Sequence, residues 1–214
     1  MNNVSEWAVP AGLAAASYLI GAVPFGLLVA RLKGVDITKV GSGNIGATNV
    51  FRSVSKPLGI LTFVFDALKG WLPAWVFPLC LSAGHAPADP SLGVLYAALA
   101  IAGHTWPVYL KFKGGKGVAT SAGALVGIAP LAVLIGLLVW VAVFAVSRYV
   151  SVASIAAAVA VPVAAWWSWW HAPVRFLVLP VALTLLGAMI IWRHTGNIQR
   201  LRAGTEHRFG RKSR

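Results

Sequence analysis

Five long stretches of the chain contain no charged residue, and they constrain the fold more than any other feature of the sequence. They cover residues 7–30, 90–110, 117–147, 149–174 and 176–192, and a sixth apolar stretch, 57–81, is interrupted only by Asp66 and Lys69. A membrane-spanning helix needs about 20 predominantly apolar residues. Charged residues make up 11% of the chain, against about 25% in soluble domains. The pattern predicts an all-α integral membrane protein, with one polytopic domain over residues 1–214.

The basic residues between the apolar stretches indicate how the helices are oriented, because cytoplasmic loops carry an excess of Lys and Arg. Residues 31–56 contain five such residues, 82–89 none, 111–116 three and 193–214 seven. The stretch 117–147 can form one tilted span, which would place the basic C-terminal segment outside. It can also form a hairpin broken at residues 127–130, which returns that segment to the cytoplasm. We therefore predict seven transmembrane helices, including one short, sheltered half-span at 117–127, with the N-terminus outside and the C-terminus cytoplasmic.

The formal net charge of +13 indicates what the protein binds. The basic residues lie in clusters beside apolar stretches, so membrane lipids or phosphorylated substrates are better partners than nucleic acid. Apart from acidic residues at the predicted extracellular ends, only Asp36, Asp66 and Glu206 remain. They are too few and too scattered for a divalent metal site, and we expect neither metal nor cofactor. The single cysteine, Cys80, cannot form an internal disulfide and is expected to be a small packing residue.

Three segments are dense in Gly, Ser, Thr, Asn and basic residues: 40–52 (VGSGNIGATNVFR), 103–121 (GHTWPVYLKFKGGKGVATS) and 193–208 (RHTGNIQRLRAGTEHR). In the seven-helix topology all three face the cytoplasm, so we expect them to form one polar pocket at the membrane edge. Flexible glycines, lysines and hydroxyls of this kind suit phosphate binding. The G-x-G-x-x-G match at 41–46 lacks the strand that a dinucleotide site requires, and Gly117 stands where a Walker A loop needs Ser or Thr.

At these segments the chain strongly resembles the bacterial acyl-phosphate-dependent glycerol-3-phosphate acyltransferase family. The matching stretches are GSGNIGATNVFR, DALKGWLP, GHTWPVYLKFKGGKGVATSAG, SRYVSVASI and HTGNIQRLRAGTEHR, which extend from Gly41 to Arg208. The resemblance implies a multi-pass enzyme of the cell inner membrane with its active site on the cytoplasmic side. Such an enzyme transfers the acyl group of acyl phosphate to glycerol 3-phosphate, giving 1-acyl-glycerol 3-phosphate (lysophosphatidate) and phosphate. We expect it to act as a monomer.

The resemblance also implies which residues act. An acyl phosphate is already activated, so the protein must position both substrates, neutralise their phosphates and let the glycerol hydroxyl lose its proton. The family is thought to use a substrate phosphate as the base, which fits the absence of the His-x₄-Asp motif of many lipid acyltransferases. The implied catalytic residues are Ser42, Arg52, Lys116, His194 and Asn197, with Arg52 and Lys116 on phosphate groups. The implied substrate-binding residues are Gly41, Gly43, Asn44, Thr48, Asn49, His104, Lys111, Gly114, Gly115, Gly117, Thr120, Ser121 and Arg200.

Several of these residues also admit a purely structural role. Gly41 and Gly43 can serve only as turn formers, although the interleaved Asn and Thr residues favour a binding role. Lys111 can equally anchor lipid headgroups. His104, near the end of its span, can simply form a hydrogen bond with another helix.

A membrane anion transporter or channel is the alternative function, since it too would use broken helices and a positive pocket. It predicts polar residues near the midplane in both halves and an internal inverted repeat, neither of which the sequence contains. Asp66 and Lys69 do lie within a span, where unpaired charges are costly. We therefore expect them to pair with each other or to bridge helices.

Overall fold

A computed structural model describes residues 3–82 and 90–210, and every regular element in these residues is helical. The chain divides into two compact units, Met1–Ile128 and Ala129–Arg214. The described helices of the first unit are α1 (Asn3–Ala22), α2 (Phe25–Arg31), α3 (Ala47–Ser53), α4 (Lys56–Trp71), α5 (Phe77–Ser82), α6 (Pro90–Thr105) and α7 (Val118–Ile128). A π-helical turn, Leu72–Val76, joins α4 to α5, and a 3₁₀ helix, Val108–Leu110, follows α6.

Proline and serine residues define helix ends in the first unit. Pro24 separates α1 from α2, because a proline ring cannot continue a helix and disfavours helical backbone in the residue before it. Ser55 caps α4, where its hydroxyl accepts a hydrogen bond from the Leu58 N–H at 3.4 Å. Pro57 follows in the first turn of α4, where a backbone donor is not needed. These two ends enclose α2, the polar 32–46 connection and α3.

Glycines allow the helices of the first unit to pack backbone against backbone. A Cβ on Gly21 of α1 would overlap the Ala100 carbonyl of α6, and a Cβ on Gly123 of α7 would overlap the Ala67 carbonyl of α4. Small residues at such contacts are typical of membrane proteins, where close approach of helices replaces the hydrophobic effect as the driving force. The side chains near these contacts are therefore held at fixed depths along neighbouring helices.

Cys80 does not have the packing role that its sequence context predicted. It is exposed on α5. The packing side of this helix is instead formed by Phe77, whose ring meets that of Tyr96 edge-on at 6.0 Å. The prediction was wrong because the apolar run by itself does not indicate which face of a short helix is covered.

The second unit contains α8 (Pro130–Ser147), α9 (Val150–His171), α10 (Val178–Arg193) and α11 (Thr195–Arg202). Indole groups link its helices: Trp140 Nε1 donates to Ser154 Oγ at 3.2 Å, and Trp166 Nε1 donates to Thr184 Oγ1 at 3.0 Å. The axes of α10 and α11 are bent by 49° at His194. This bend separates an apolar helix from a short helix that carries most of the unit's polar motif.

Five stretches of the described residues are long and apolar enough to cross a membrane, and a sixth is added if α10 and α11 count as one bent span. α7 is the short apolar helix expected at 117–127, and it has 11 residues. The expected break at 127–130 occurs at Ala129, between α7 and α8. An all-helical protein with apolar spans is thus confirmed. The count of seven and the orientation of the termini stay predictions.

Candidate functional site

The loop of residues 37–46 is held together by the side chain of Asn49, which is 2% exposed. Its Oδ1 accepts hydrogen bonds from the Ser42 N–H at 3.0 Å and the Ser53 hydroxyl at 3.2 Å. Its Nδ2 donates, at 2.9–3.2 Å, to the carbonyl oxygens of Asn44, Val40 and Ile37. Asn49 therefore shapes the loop through every polar atom of its side chain, and a direct contact with substrate stays a prediction.

The glycines of this loop are required by its backbone conformation, independently of any ligand. Gly41 and Gly43 have φ values of 59° and 68°, in the left-handed region that favours glycine. A Cβ on Gly41 would also overlap Asn49 Oδ1. The Asn44 side chain accepts a hydrogen bond from the Gly46 N–H at 2.8 Å, just before α3. Turn formation thus accounts for these residues locally, and a binding role for Gly41, Gly43 and Asn44 would be additional.

Three other predicted site residues in this segment have accessible side chains. Ser42 is exposed, and Thr48 and Arg52 of α3 are half-buried. The same segment contributes to an apolar cluster formed by Leu27, Ala30, Ile37, Ile45 and Val50. The cluster packs the loop and α3 against α2.

Residues 111–117, here called the glycine loop, dock onto the C-terminal end of α6. The Gly114 N–H donates to the Thr105 carbonyl at 3.2 Å, and the Gly115 N–H donates to the His104 carbonyl at 3.0 Å. Such terminal carbonyls have no partner within their own helix. A Cβ on Gly115 would overlap His104 Nε2, and a Cβ on Gly114 would overlap the His104 carbonyl. Glycine is therefore required at both positions for the loop to approach α6.

The lysines of the glycine loop lie in different environments. Lys111 is exposed and has a left-handed backbone with φ of 50°, as does Phe112 with φ of 63°. Lys116 is half-buried, two residues before α7 begins. The structure thus separates a cation on the surface from a cation beside a helix N-terminus, the place where an anion is stabilised.

The first turn of α7 contains two buried hydroxyls. Thr120 is fully buried and Ser121 is 4% exposed, and neither hydroxyl has a hydrogen-bond partner in the part of the chain that the structure describes. Gly117, with φ of 83°, leads into the helix, and its carbonyl accepts from the Ser121 N–H at 2.7 Å. Buried polar groups are almost always hydrogen-bonded. Two such hydroxyls at one helix N-terminus are consistent with the predicted phosphate contact, which stays a prediction.

A buried ion pair lies on α4, as the sequence predicted. Lys69 Nζ is 2.7 Å from Asp66 Oδ1 and also donates to the Val23 carbonyl at 2.8 Å. His104 Nδ1 lies 3.6 Å from the same carboxylate oxygen. This contact was not foreseen, since His104 is 38 residues away in sequence and no local pattern joins it to Asp66. Asp66 is ten residues into α4, or ~15 Å along the helix, so these groups lie inside a candidate span.

In the second unit, His194 lies at the bend between α10 and α11 and is 3% exposed. Its Nδ1 is 2.7 Å from the Ile190 carbonyl. Because a carbonyl oxygen can only accept, Nδ1 carries the proton. In the neutral ring Nε2 is then a hydrogen-bond acceptor. This tautomer suits a group that orients a substrate hydroxyl.

Glu206 anchors the remaining predicted residues of this segment. Its Oε1 accepts from Asn197 Nδ2 at 2.6 Å and from the Ser151 hydroxyl at 2.9 Å, and its Oε2 accepts from Arg200 Nε at 2.8 Å. Burial raises the pKa of the Glu206 carboxyl, but the hydrogen bonds from Asn197, Arg200 and Ser151 outweigh it and hold that pKa below its ordinary value. Glu206 was missed because its bond to Ser151 spans 55 residues of the chain, and no pattern in the 193–208 segment indicates that Asn197 and Arg200 turn toward it.

The structure brings two of the three polar segments into one unit. Residues 40–52 and the glycine loop both belong to the first unit, and their helices α3 and α7 pack on α4 at Gly59 and Gly70. Residues 193–208 belong to the second unit, so convergence of all three segments stays a prediction. Within residues 3–82 and 90–210, no group of three or more His, Cys, Asp or Glu residues is arranged to hold a metal ion. Metal independence also stays a prediction.

Known proteins resemble the chain over nearly its whole length. The family model described as Glycerol-3-phosphate acyltransferase matches residues 11–204. A protein of that name from Geobacter sulfurreducens is 45% identical over 198 residues, covering 92% of this chain and 96% of the relative. A protein of the same name from Aquifex aeolicus is 42% identical over 194 residues, covering 90% and 95%.

Two solved structures are similar to the chain in fold as well as in sequence. Both are of PlsY (YgiH), described as an integral membrane glycerol 3-phosphate acyltransferase, and both are 39% identical to this chain. Its glycerol 3-phosphate form has a TM-score of 0.82 and its lysophosphatidic acid form 0.79. The matches cover 94% of this chain and 96% and 95% of those chains. The chain therefore belongs to the glycerol-3-phosphate acyltransferase family and is an integral membrane protein with apolar helices.

Proposed function

We propose that the protein transfers a fatty acyl group from acyl phosphate to glycerol 3-phosphate, giving 1-acyl-sn-glycerol 3-phosphate and phosphate. Membership of the family supports glycerol 3-phosphate as the acceptor. The observation that carries the donor assignment is the pair of buried hydroxyls on Thr120 and Ser121, unpartnered among the described residues. They follow a glycine loop and Lys116 at the start of α7. A phosphate leaving group matches this set of donors.

The reaction balances without any other reactant. A hydroxyl oxygen of glycerol 3-phosphate attacks the acyl carbonyl carbon, and an ester bond forms. The bond between that carbon and the phosphate oxygen breaks, and the hydroxyl proton passes to a phosphate oxygen. Because the mixed anhydride is already activated, orientation of the substrates and stabilisation of phosphate charge are the main contributions required of the protein.

In the first unit we assign the phosphate contacts to two cations and to the start of α7. Arg52 presents paired donors that match a bidentate contact, whereas Lys116 supplies a point charge. The 114–117 backbone and the hydroxyls of Thr120 and Ser121 receive the leaving phosphate at the helix N-terminus. Ser42, which is exposed, is assigned to the glycerol hydroxyl.

In the second unit, His194 Nε2 is assigned as the acceptor that orients the glycerol hydroxyl, since Nδ1 is bound to the Ile190 carbonyl. Asn197 is assigned to a headgroup or carbonyl oxygen. Its amide donates to Glu206, so its orientation is set before substrate binds. We assign Arg200 to the support of Glu206 in the first place, because the structure joins these two side chains at 2.8 Å.

The same proposal includes location and assembly. We propose a monomer in the cell inner membrane with its chemistry on the cytoplasmic side. The distribution of basic residues supports this side. An acyl chain can then remain among apolar helices and lipid while its phosphate lies at the polar segments.

The test is a donor comparison on purified protein. Acyl phosphate with labelled glycerol 3-phosphate, in the presence of a chelator, is expected to yield labelled lysophosphatidate and one phosphate per ester formed. Acyl-CoA is expected to yield none. Product from acyl-CoA but not from acyl phosphate would contradict the donor assignment. Complete loss of activity on chelation, restored by one divalent metal, would contradict the metal-free mechanism.

A further inference from the structure

A cluster of three ionisable side chains is buried beside the glycine loop. Asp66 and Lys69 are each 3% exposed and His104 is 4% exposed. Charges inside a span are costly, and a buried ion pair seldom stabilises a protein more than apolar residues of the same size would. Stability by itself is therefore a weak reason for these residues. Their position offers a stronger one.

The cluster joins α4, α6 and the break between α1 and α2, and it lies next to a contact with α7. Asp66 and Lys69 lie on α4, and Lys69 reaches the Val23 carbonyl at the break between α1 and α2. His104 is on the last turn of α6. One residue beyond Lys69, a Cβ on Gly70 would overlap the Thr120 carbonyl of α7. The ionisable groups therefore lie where the glycine loop and the first turn of α7 are held against α4 and α6.

His104 connects the carboxylate to the glycine loop. Its Nδ1 faces Asp66 Oδ1 at 3.6 Å, and the opposite ring atom, Nε2, lies where a side chain on Gly115 would be. The backbone of His104 also accepts the Gly115 N–H at 3.0 Å. A rotation of the ring would therefore change the space that Gly115 occupies, one residue before Lys116.

We propose that Asp66 is a positioning residue that acts through His104 to hold the glycine loop in its anion-binding shape, with Lys69 as its counterion. The inference rests on the proposed phosphate role of that loop. Donors that are already oriented when the substrate arrives stabilise charge with little reorganisation, and they require support from surrounding side chains. The Asp66 carboxylate supplies this support electrostatically: its Oδ1 lies 3.6 Å from Nδ1, beyond hydrogen-bond distance, and attracts the protonated imidazole under Gly115.

Hydrogen exchange of the loop amides tests the proposal independently of any reaction. The proteins to compare in detergent are the parent, Asp66→Asn, His104→Gln and the double variant. Each single variant is expected to speed exchange at residues 114–117 at least tenfold, and the double variant no more than the larger single effect, because both act through one contact. Thr62→Val is the matched control, because Thr62 is a fully buried residue on the same helix whose hydroxyl donates to the Leu58 carbonyl. It is expected to leave loop exchange at the parental rate.

Parental exchange in Asp66→Asn, or multiplicative effects in the double variant, would overturn the proposal.

A second measurement separates positioning from ion-pair stability. Asp66→Asn combined with Lys69→Gln removes both charges and is expected to recover most of the melting temperature that Asp66→Asn loses. It is not expected to recover kcat/KM for acyl phosphate, which should stay at least tenfold low. Recovery of both the melting temperature and kcat/KM would show that Asp66 and Lys69 form only a structural ion pair. An inactive parent would contradict the proposed reaction, and the exchange data would still decide the role of Asp66.

Discussion

Gly70 of α4 lies so close to the carbonyl oxygen of Thr120 in α7 that a Cβ on Gly70 would overlap it. The contact places the first turn of α7 against α4, one residue beyond Lys69 of the buried ion pair. The depth of the Thr120 and Ser121 hydroxyls is therefore set by a glycine on a different helix. This relationship predicts how the site responds to the addition of a single methyl group.

Gly70→Ala is expected to separate α4 from α7 and to lower both stability and activity. Overpacking at a tight contact costs about 1–3 kcal/mol, and the shift displaces the proposed phosphate hydroxyls. Gly12→Ala on α1 is the matched control, because nothing lies within 4 Å of its added Cβ. Melting temperature in detergent and kcat/KM should fall in Gly70→Ala and stay at the parental values in Gly12→Ala. Equal behaviour of the two variants would show that the contact is easily relaxed.

Thr120→Val is expected to lower kcat/KM for acyl phosphate at least roughly tenfold while leaving stability unchanged or higher. A charge-assisted hydrogen bond contributes about 1.5–3 kcal/mol, whereas an unpartnered buried hydroxyl costs about 1–3 kcal/mol. Thr62→Val, which removes a hydroxyl bonded to the Leu58 carbonyl, should show the reverse pattern. Steady-state kinetics and thermal melting of both variants give the comparison. A Thr120→Val protein that is less stable but fully active would refute a ligand role for this hydroxyl.

Arg52 and Lys116 are predicted to contact substrate phosphate. Arg52→Ala and Lys116→Ala should each reduce kcat/KM at least roughly tenfold, since each removes a charged hydrogen bond worth about 1.5–3 kcal/mol. Arg52→Lys should lose much of the same activity, because a lysine lacks the paired donors of a guanidinium. Lys113→Ala removes an exposed cation from the same loop as Lys116 and should retain near-parental kinetics. Normal folding with near-parental turnover in both alanine variants at 52 and 116 would place the phosphate contacts elsewhere.

Glu206→Gln is expected to destabilise the second unit and to flatten its dependence on pH. The folded pKa of Glu206 lies below the ordinary value of 4.5. Its contribution to stability is therefore fully present above about pH 4.5 and is lost as the pH falls through the lower folded value. Melting temperatures from neutral pH to pH 3 should decline more in the parent than in Glu206→Gln. At neutral pH the variant should melt lower than the parent.

The predicted topology can be checked by single cysteines in a Cys80→Ser background. Cysteines at Ser82 and Ser213 should be labelled by an impermeant reagent from opposite sides of the membrane, because the basic loops favour the cytoplasm. The residue at 213 should react only from the cytoplasmic side. Labelling of both positions from one side would contradict the count of seven spans.

Membrane insertion, the helical class and the position of the short helix α7 were readable from the sequence. Apolar run length and the break before Pro130 are local properties, and a bilayer core requires helices whose backbone groups are satisfied internally. The prediction that the glycine loop binds phosphate also rests on a local feature, the spacing of its glycines and lysines. Charge counts predicted a side for each loop, although they contain no information on packing.

Only the tertiary structure decided which polar side chains support one another. The contact between Asp66 and His104 and the hydrogen bond from Ser151 to Glu206 join residues that are distant in the chain. Asn49, predicted to bind substrate, has its amide committed to its own loop. A polar side chain can bind a ligand or hydrogen-bond to the backbone, depending on its neighbours. Helix packing at glycines such as Gly70 and Gly123 determines which neighbours it has. These packing contacts join residues that are distant in the chain, so no local pattern in the sequence encodes them.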